Sequence, residues 1–168
     1  MIIRLSQQLA RKVKIRELAT VGMHDDPLRD WSIQTFVFER KQHVIICNTA
    51  TLYSAVCLSG ALNKPHALVV AGLQAIGEQL EFDLLLDAYQ TFSTPGSAVV
   101  TYAKSLNKTV TGSINEQIIL ATNALARGKN LFVTSSYLNR NLLSILKDEH
   151  GKKYNRPFDV MTRLLEPR

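Results

Sequence analysis

The sequence predicts an α+β domain: a small, mostly antiparallel sheet with a central hairpin, covered by about five helices. Three observations lead there. Within residues 31 to 58, aromatic and β-branched residues flank a charged "ERKQ", the pattern of two strands around a tight turn. From Pro65 onward apolar residues recur at steps of three and four, the period of an amphipathic helix. Helix start and stop signals then bracket residues 113 to 128. At 168 residues, 46% hydrophobic and 20% charged, the chain reads as a single domain, 1–168, able to bury a core without a disulfide or metal.

Taken in order, residues 2 to 5 are a β-branched apolar run and predict a strand. Ser6 then caps a helix carrying Leu9, Ala10 and Val13 on one side. The segment "TVGMHDDPLRD", residues 20 to 30, has loop chemistry. Its His24, Asp25, Asp26 and Asp30 are metal-ligating types, but they share one segment without a partner cluster and read as a solvated loop. After the hairpin, Thr49, Thr51, Tyr53 and Ser54 alternate with Ala50, Leu52 and Ala55, as a continuing strand with one polar face would.

Val69, Leu73, Ile76 and Leu80 define the next helix, which Leu84, Leu85, Ala88 and Phe92 continue until Pro95 and Gly96 in "STPGS" stop it. Residues 98 to 103 add a short strand. Ser113 and Glu116 form a capping box that starts a helix with Ile114, Ile118, Ala121 and Leu125 on its inner stripe. Arg127 and Gly128 end it, Gly128 turning left-handed. "NLFVT" reads as a strand, and Thr134 or Ser135 caps a helix carrying Leu138, Leu142, Leu143, Ile145 and Leu146. Pro157 opens a last helix whose inner face is Phe158, Met161, Leu164 and Leu165.

The formal charge of +6 and a pI near 9.5 favour polyanionic partners. The charge is uneven: Arg4, Arg11, Lys12, Lys14 and Arg16 open the chain, whereas Glu78, Glu81, Asp83 and Asp87 make its middle acidic. Those early cations interrupt any secretory signal, and no apolar run approaches a membrane span, so the expectation is a cytoplasmic protein without a membrane partner. Cys47 and Cys57 have no metal or redox spacing and read as core thiols.

Four stretches recur together in this order: "MIIRLSQQLARKV", "FVFERKQHVIICNTATLYSAV", "NKTVTGSINEQI", and "LNRNLLSI" followed by "YNRPFDVMTRLL". The set resembles a family of small bacterial proteins known only as a domain of unknown function. Its counterparts read as an aromatic strand, an Arg-Lys turn, Asn-x-x-Thr-Leu-Tyr-Ser, Arg-Ser-Val-x-Gly-Ser-Met-Asn-Asp and Leu-Asn-Arg-x-Pro. Here Thr109 and Lys108 stand where that family often has serine and arginine, and Asn141 and Leu142 replace a Thr-Pro, so the last loop differs. The resemblance implies one compact cytoplasmic domain and no activity.

No catalytic motif is present: the four histidines, His24, His43, His66 and His150, lie far apart, and no H-E-x-x-H, G-x-S-x-G or Walker loop occurs. The helix start after Gly112 is amide-rich, but Glu116 competes for those amides and repels an anion. The expected role is a non-catalytic binding module with nucleic acid as the leading partner, in a regulator, mobile-element or toxin-antitoxin context. It would use Arg11, Lys12 and Lys14, the hairpin cations Arg40 and Lys41, and Arg140, with Tyr53 or Trp31 for stacking. The alternative is an enzyme or small-ligand binder with a polar pocket around Asn48, Tyr53, Ser113 and Asn115, Gly112 being a further polar-site candidate; a third reading is a plain interaction protein whose Asn48, Thr49, Thr51 and Asn115 bind a protein partner or small ligand. No pattern asks for a cofactor, and none speaks to oligomeric state.

Overall fold

A computed structural model describes residues 1–59, 64–85, 99–147, 151 and 153–166. Strands β1 (Ile2–Leu5), β2 (Asp30–Phe38), β3 (Lys41–Asn48), β4 (Ser54–Leu58) and β5 (Thr101–Lys104) form one sheet in the order β4-β3-β2-β1-β5. Helices α1 (Gln7–Lys12), α2 (Pro65–Phe82), α3 (Lys108–Ala126), α4 (Leu131–Arg140) and α5 (Pro157–Leu165) surround it, with a separate two-stranded ribbon of β6 (Leu143–Lys147) and β7 (Lys153–Asn155).

The sheet is mixed, which corrects the mostly antiparallel expectation. The β2–β3 hairpin and the β3–β4 pair are antiparallel, with Ile33 opposite Ile46 and Ile45 opposite Val56. β1, however, runs parallel to both its neighbours, Ile2 standing beside Asp30 on one side and Thr101 on the other. A hairpin is written in local pattern, but a four-residue strand inserted between distant partners is not, and crossover connections make both of its pairings parallel.

Alternation along the strands divides the core in two. Ile3, Leu5, Trp31, Ile33, Val44, Ile46 and Ala55 share a cluster with Leu9, Ala10 and Val13 after β1, with Leu68, Ile76 and Leu80 of α2, and with Met161 of α5. Phe36, Ile45, Cys47 and Val56 face the other way, onto Val110, Ile114 and Ala121 of α3, Leu138 of α4, and Leu143 and Leu146 of β6. Helices therefore cover both faces of the sheet. α2 lies so close that a Cβ built on Gly72 would come 2.9 Å from Ile46 Cδ1, which is why the helix interior tolerates glycine there.

Several expected boundaries hold. Ser6 caps α1 by accepting from the Leu9 amide at 3.2 Å, Gly128 turns at φ 77° after α3, and Pro157 opens α5. Others shift, each for a visible reason. α3 starts at Lys108, because Asn107 Oδ1 accepts from the Val110 amide at 2.8 Å; Ser113 and Glu116 thus lie inside the helix and make no capping box. "NLFVT" is helical, because Asn130 caps α4 through the Val133 amide and the helix buries Thr134, Ser135, Leu138 and Asn139, overriding the β-propensity of the run. The helix expected through Leu142 to Leu146 ends at Arg140, and Leu143–Lys147 pairs with β7 instead.

α2 stops at Phe82 without continuing through Leu84 and Leu85. Leu84 turns left-handed at φ 63°, and the Leu85 amide bonds back to the Leu80 carbonyl, a Schellman closure. The strand expected over 98–103 runs over Thr101–Lys104, Val99 and Val100 standing before it; the expected continuation at Ala88 and Phe92, the "STPGS" stop, Asp87, Ala98 and His150 lie outside the described residues. Among the described residues no helix is long and apolar enough to cross a membrane.

Candidate functional site

The polar row after β3 is a turn, not a continuing strand. Asn48 Oδ1 accepts from the amides of Ala50 and Thr51 and from the Thr51 hydroxyl, while its Nδ2 donates to Pro27 O at 2.8 Å. Thr51 Oγ1 in turn accepts from the Tyr53 amide, Thr49 Oγ1 meets the Ser32 hydroxyl at 2.9 Å, and Leu52 sits left-handed at φ 58°. Asn48, Thr49, Thr51 and Tyr53 are all buried, so the Asn-x-x-Thr-Leu-Tyr-Ser stretch builds a corner and not a solvent-facing surface.

From that corner Tyr53 reaches a buried carboxylate. Its hydroxyl donates to Asp83 Oδ2 at 2.7 Å; Gln79 Nε2 donates to the same oxygen at 3.1 Å, and the Ser136 hydroxyl and Arg140 Nη1 (3.0 Å) donate to Oδ1. Burial pushes the Asp83 carboxyl up, but the donors from Ser136, Tyr53, Gln79 and Arg140 outweigh it and hold the carboxyl below its usual range. The Tyr53 phenol is pushed far up, by burial first and then by the Asp83 charge. A carboxylate whose oxygens are filled by four donors is a clamp between α2, α4 and the β4 corner. It has no lone pair left for a general base's work.

α4 also closes the open edge of the sheet. Asn139 Oδ1 accepts from the Ser54 amide at 2.7 Å, its Nδ2 donates to Ser54 O at 3.0 Å, and Ser135 Oγ accepts from the Val56 amide at 2.9 Å. The side-chain amide of Asn139 thereby stands in for the next strand's peptide group. Gln117 of α3 joins from the other side, accepting from the Ser54 hydroxyl and donating to Leu52 O.

The remaining polar candidates sit apart from this corner. Gly112 and Asn115 line a shallow recess of about 380 Å³ with Ser105, Asn107, Lys108 and Thr111; Ser113 is half-buried in α3 and is not among its walls. Trp31 and Tyr53 are fully buried and offer no ring to a ligand. Cys47 and Cys57 are held as thiols, burial pushing them up to about 12 and about 11, with Glu78 adding to the second.

The cations divide sharply by environment. Arg4 is 1% exposed and forms a bidentate pair with fully buried Asp30 at 2.7 and 2.8 Å, while also donating to the Val21, Gly22 and Lys104 carbonyls. It pins the 14–29 segment to the sheet and is lost to any partner. Asp30, expected in a solvated loop, is thus a core residue. Arg140 is half-exposed but committed to Asp83 and packed over the Phe158 ring, on the β4 side. Among the described residues no cluster of His, Cys, Asp and Glu could hold a metal ion.

Arg11, Lys12, Lys14, Arg16, Lys41 and Lys104 are exposed, as is Arg40, and among the described residues none stands within 4.0 Å of a carboxylate oxygen. Lys12 Nζ donates to Gln42 Oε1, which sets the end of α1 beside the hairpin that carries Arg40 and Lys41. Arg11, Arg16 and Lys104 converge with Gln7, Ala10, Ile15, Glu17 and Leu18 around a recess of about 400 Å³. Gln7 opens the helix after β1 and Lys104 ends β5, so the recess lies by the carboxyl ends of two parallel strands. There the chain has laid β2, β3 and β4 to one side of β1 and β5 to the other, the kind of crevice in which open sheets bind ligands.

Backbone conformation singles out two of these cations. Lys14 (φ 64°) closes α1 in a Schellman turn, with the Ile15 amide bonded to Ala10 O, and Arg40 (φ 62°) is the second residue of the two-residue hairpin turn after Glu39 (φ 47°). Glycine or asparagine is cheaper at both places. Arg16 and Lys104 were not among the sequence candidates, because nothing in local pattern reveals that residues so far apart share a recess; the dense early cations were the available signal for Arg16. A family model described as Domain of unknown function (DUF6933) matches residues 2–160. No curated protein matches the chain.

Proposed function

Because the chain belongs to that family, whose description carries no activity, function has to be read from its own surface, and we propose that it is a non-catalytic domain binding nucleic acid at its basic end. The observation that carries this reading is the convergence of Arg11, Arg16 and Lys104, from three separate segments, on one recess at the carboxyl ends of parallel strands. Lys12, Lys14, Arg40 and Lys41 extend the positive field beside it. Unpaired, exposed cations of this kind contact phosphates and displace counterions, which supports affinity without base selection. The burial of Trp31 and Tyr53 supports the same emphasis on the backbone. The second reading, a catalytic or ligand pocket around Asn48 and Tyr53, draws no support from a corner in which the Asn48, Thr51, Tyr53 and Asp83 side chains are buried and hydrogen-bonded to one another or to neighbouring protein groups.

The test is fluorescence anisotropy with labelled single- and double-stranded RNA and DNA across a salt series. Binding in the micromolar range at low salt is expected, weakening linearly in log–log form with salt. Replacing Arg11, Lys12 and Lys14 by glutamine lowers the magnitude of that slope by about 2 to 3. Absence of binding at low salt, or a variant indistinguishable from the parent, refutes the reading.

A further inference from the structure

We infer that the recess between α1, residues 15 to 18 and the end of β5 is a seat for a single nucleotide carrying one phosphate. The inference rests on the nucleic-acid reading and gives that surface a specific occupant. Several properties point to it. The volume, about 400 Å³, is that of a small-ligand site and excludes a duplex, whose phosphates would meet only the rim. Arg11, Arg16 and Lys104 come from a helix, an irregular segment and a strand end, so three cations converge on one spot where a solvated helix face would spread them along one element.

The walls also contain the half-buried Ile15 and Leu18, an apolar surface against which the flat face of a base can lie. Gln7 and Glu17 supply the polar groups that a base edge uses, the Glu17 carboxylate accepting from an exocyclic amino group. That same carboxylate limits anionic charge: it adds one negative charge among three positive ones, which suits a monophosphate better than a polyphosphate chain. Lys14, next to the wall residue Ile15, and Arg40, on the hairpin that Lys12 reaches through Gln42, are further exposed cations beside the seat for the phosphates of an attached strand.

Such a nucleotide can be free or the 5′-phosphorylated end of a strand, and the experiment separates the two. Titration calorimetry is run on the full chain with AMP, adenosine, inorganic phosphate, and one short single-stranded RNA bearing either a 5′-phosphate or a 5′-hydroxyl. The expected result is binding of AMP but not adenosine, and at least about fivefold tighter binding of the phosphorylated RNA. Arg16→Gln and Lys104→Gln each erase about tenfold of the AMP affinity, while leaving the unfolding midpoint unchanged, since both side chains are exposed. AMP binding without any preference for the phosphorylated end identifies free nucleotide as the occupant. If both RNAs bind equally and AMP does not bind, the seat is refuted and the general nucleic-acid reading survives. If AMP binds and no RNA does, the seat stands and the broader reading falls; if nothing binds, both fall.

Discussion

Replacing Asn139 by alanine tests whether a side chain from α4 completes the sheet. Ser54 and Asn139 are both wholly buried, and the amide and carbonyl of Ser54 take their bonds from Asn139 at 2.7 and 3.0 Å. Alanine leaves both backbone groups buried without a partner, at about 1 to 3 kcal/mol each, so a loss of roughly 2 to 6 kcal/mol is expected. Ser135→Ala removes the acceptor for the Val56 amide together with a bond to the Leu131 carbonyl, which the helix already pairs, and costs about 1 to 2 kcal/mol. Asn123→Ala, at an exposed position on α3, is the control and stays within about 0.5 kcal/mol. Urea unfolding followed by far-UV circular dichroism reads all three. Asn139→Asp keeps an acceptor for the Ser54 amide but turns a carboxylate oxygen toward the Ser54 carbonyl, so its deficit should shrink as pH falls and the acid regains a proton to donate. A cost for Asn139→Ala below about 1 kcal/mol, or equal to that of Asn123→Ala, would falsify the edge-closing role.

Two other outcomes follow from geometry already described. The Asp83 carboxyl is held below its usual value in the fold, so its clamp contributes fully above the unfolded value near 4 and is lost as pH falls through the lower folded value; denaturant midpoints of the parent and Asp83→Asn, measured from pH 7 to pH 2, should therefore differ most at neutral pH and converge in acid, and a constant gap contradicts the assignment. Lys14→Gly should stabilise the fold by about 1 kcal/mol, because glycine enters the left-handed turn after α1 without strain, and should at the same time weaken RNA binding at low salt; a variant less stable than the parent overturns the account of that turn.

The parts of the fold that could be read from sequence are those whose signals are local. The hairpin around Glu39 and Arg40, the Ser6 cap, the Gly128 stop and the Pro157 start each depend on residues within one turn of each other. The misread parts depend on something elsewhere in the chain. "NLFVT" has strand composition, yet it is helical because Ser135 and Asn139 must meet β4. Ser113 and Glu116 spell a capping box, yet Asn107 caps first, five residues upstream of Gly112. The same distinction governs the sites. Arg11, Lys12 and Lys14 stand out because they crowd into four residues at the end of a short helix and the turn after it, but only three-dimensional placement adds Arg16 and Lys104, buries Arg4 in its pair with Asp30, and commits Arg140 to Asp83.

The position of β1 has a consequence for how the molecule is made. It precedes the other strands in the chain, yet its neighbours are Asp30 onward on one side and Thr101 onward on the other. β2, β3 and β4 can assemble early as a meander of near neighbours, whereas the β1–β5 pairing has to wait until Thr101–Lys104 has emerged. Until then one flank of β1 is an unpaired backbone rim, and the walls of the basic recess, α1 on one side and Lys104 on the other, are not yet together. The recess therefore cannot form before β5 is made, and a nascent chain released before β5 would carry the cations of α1 without the recess that gathers them.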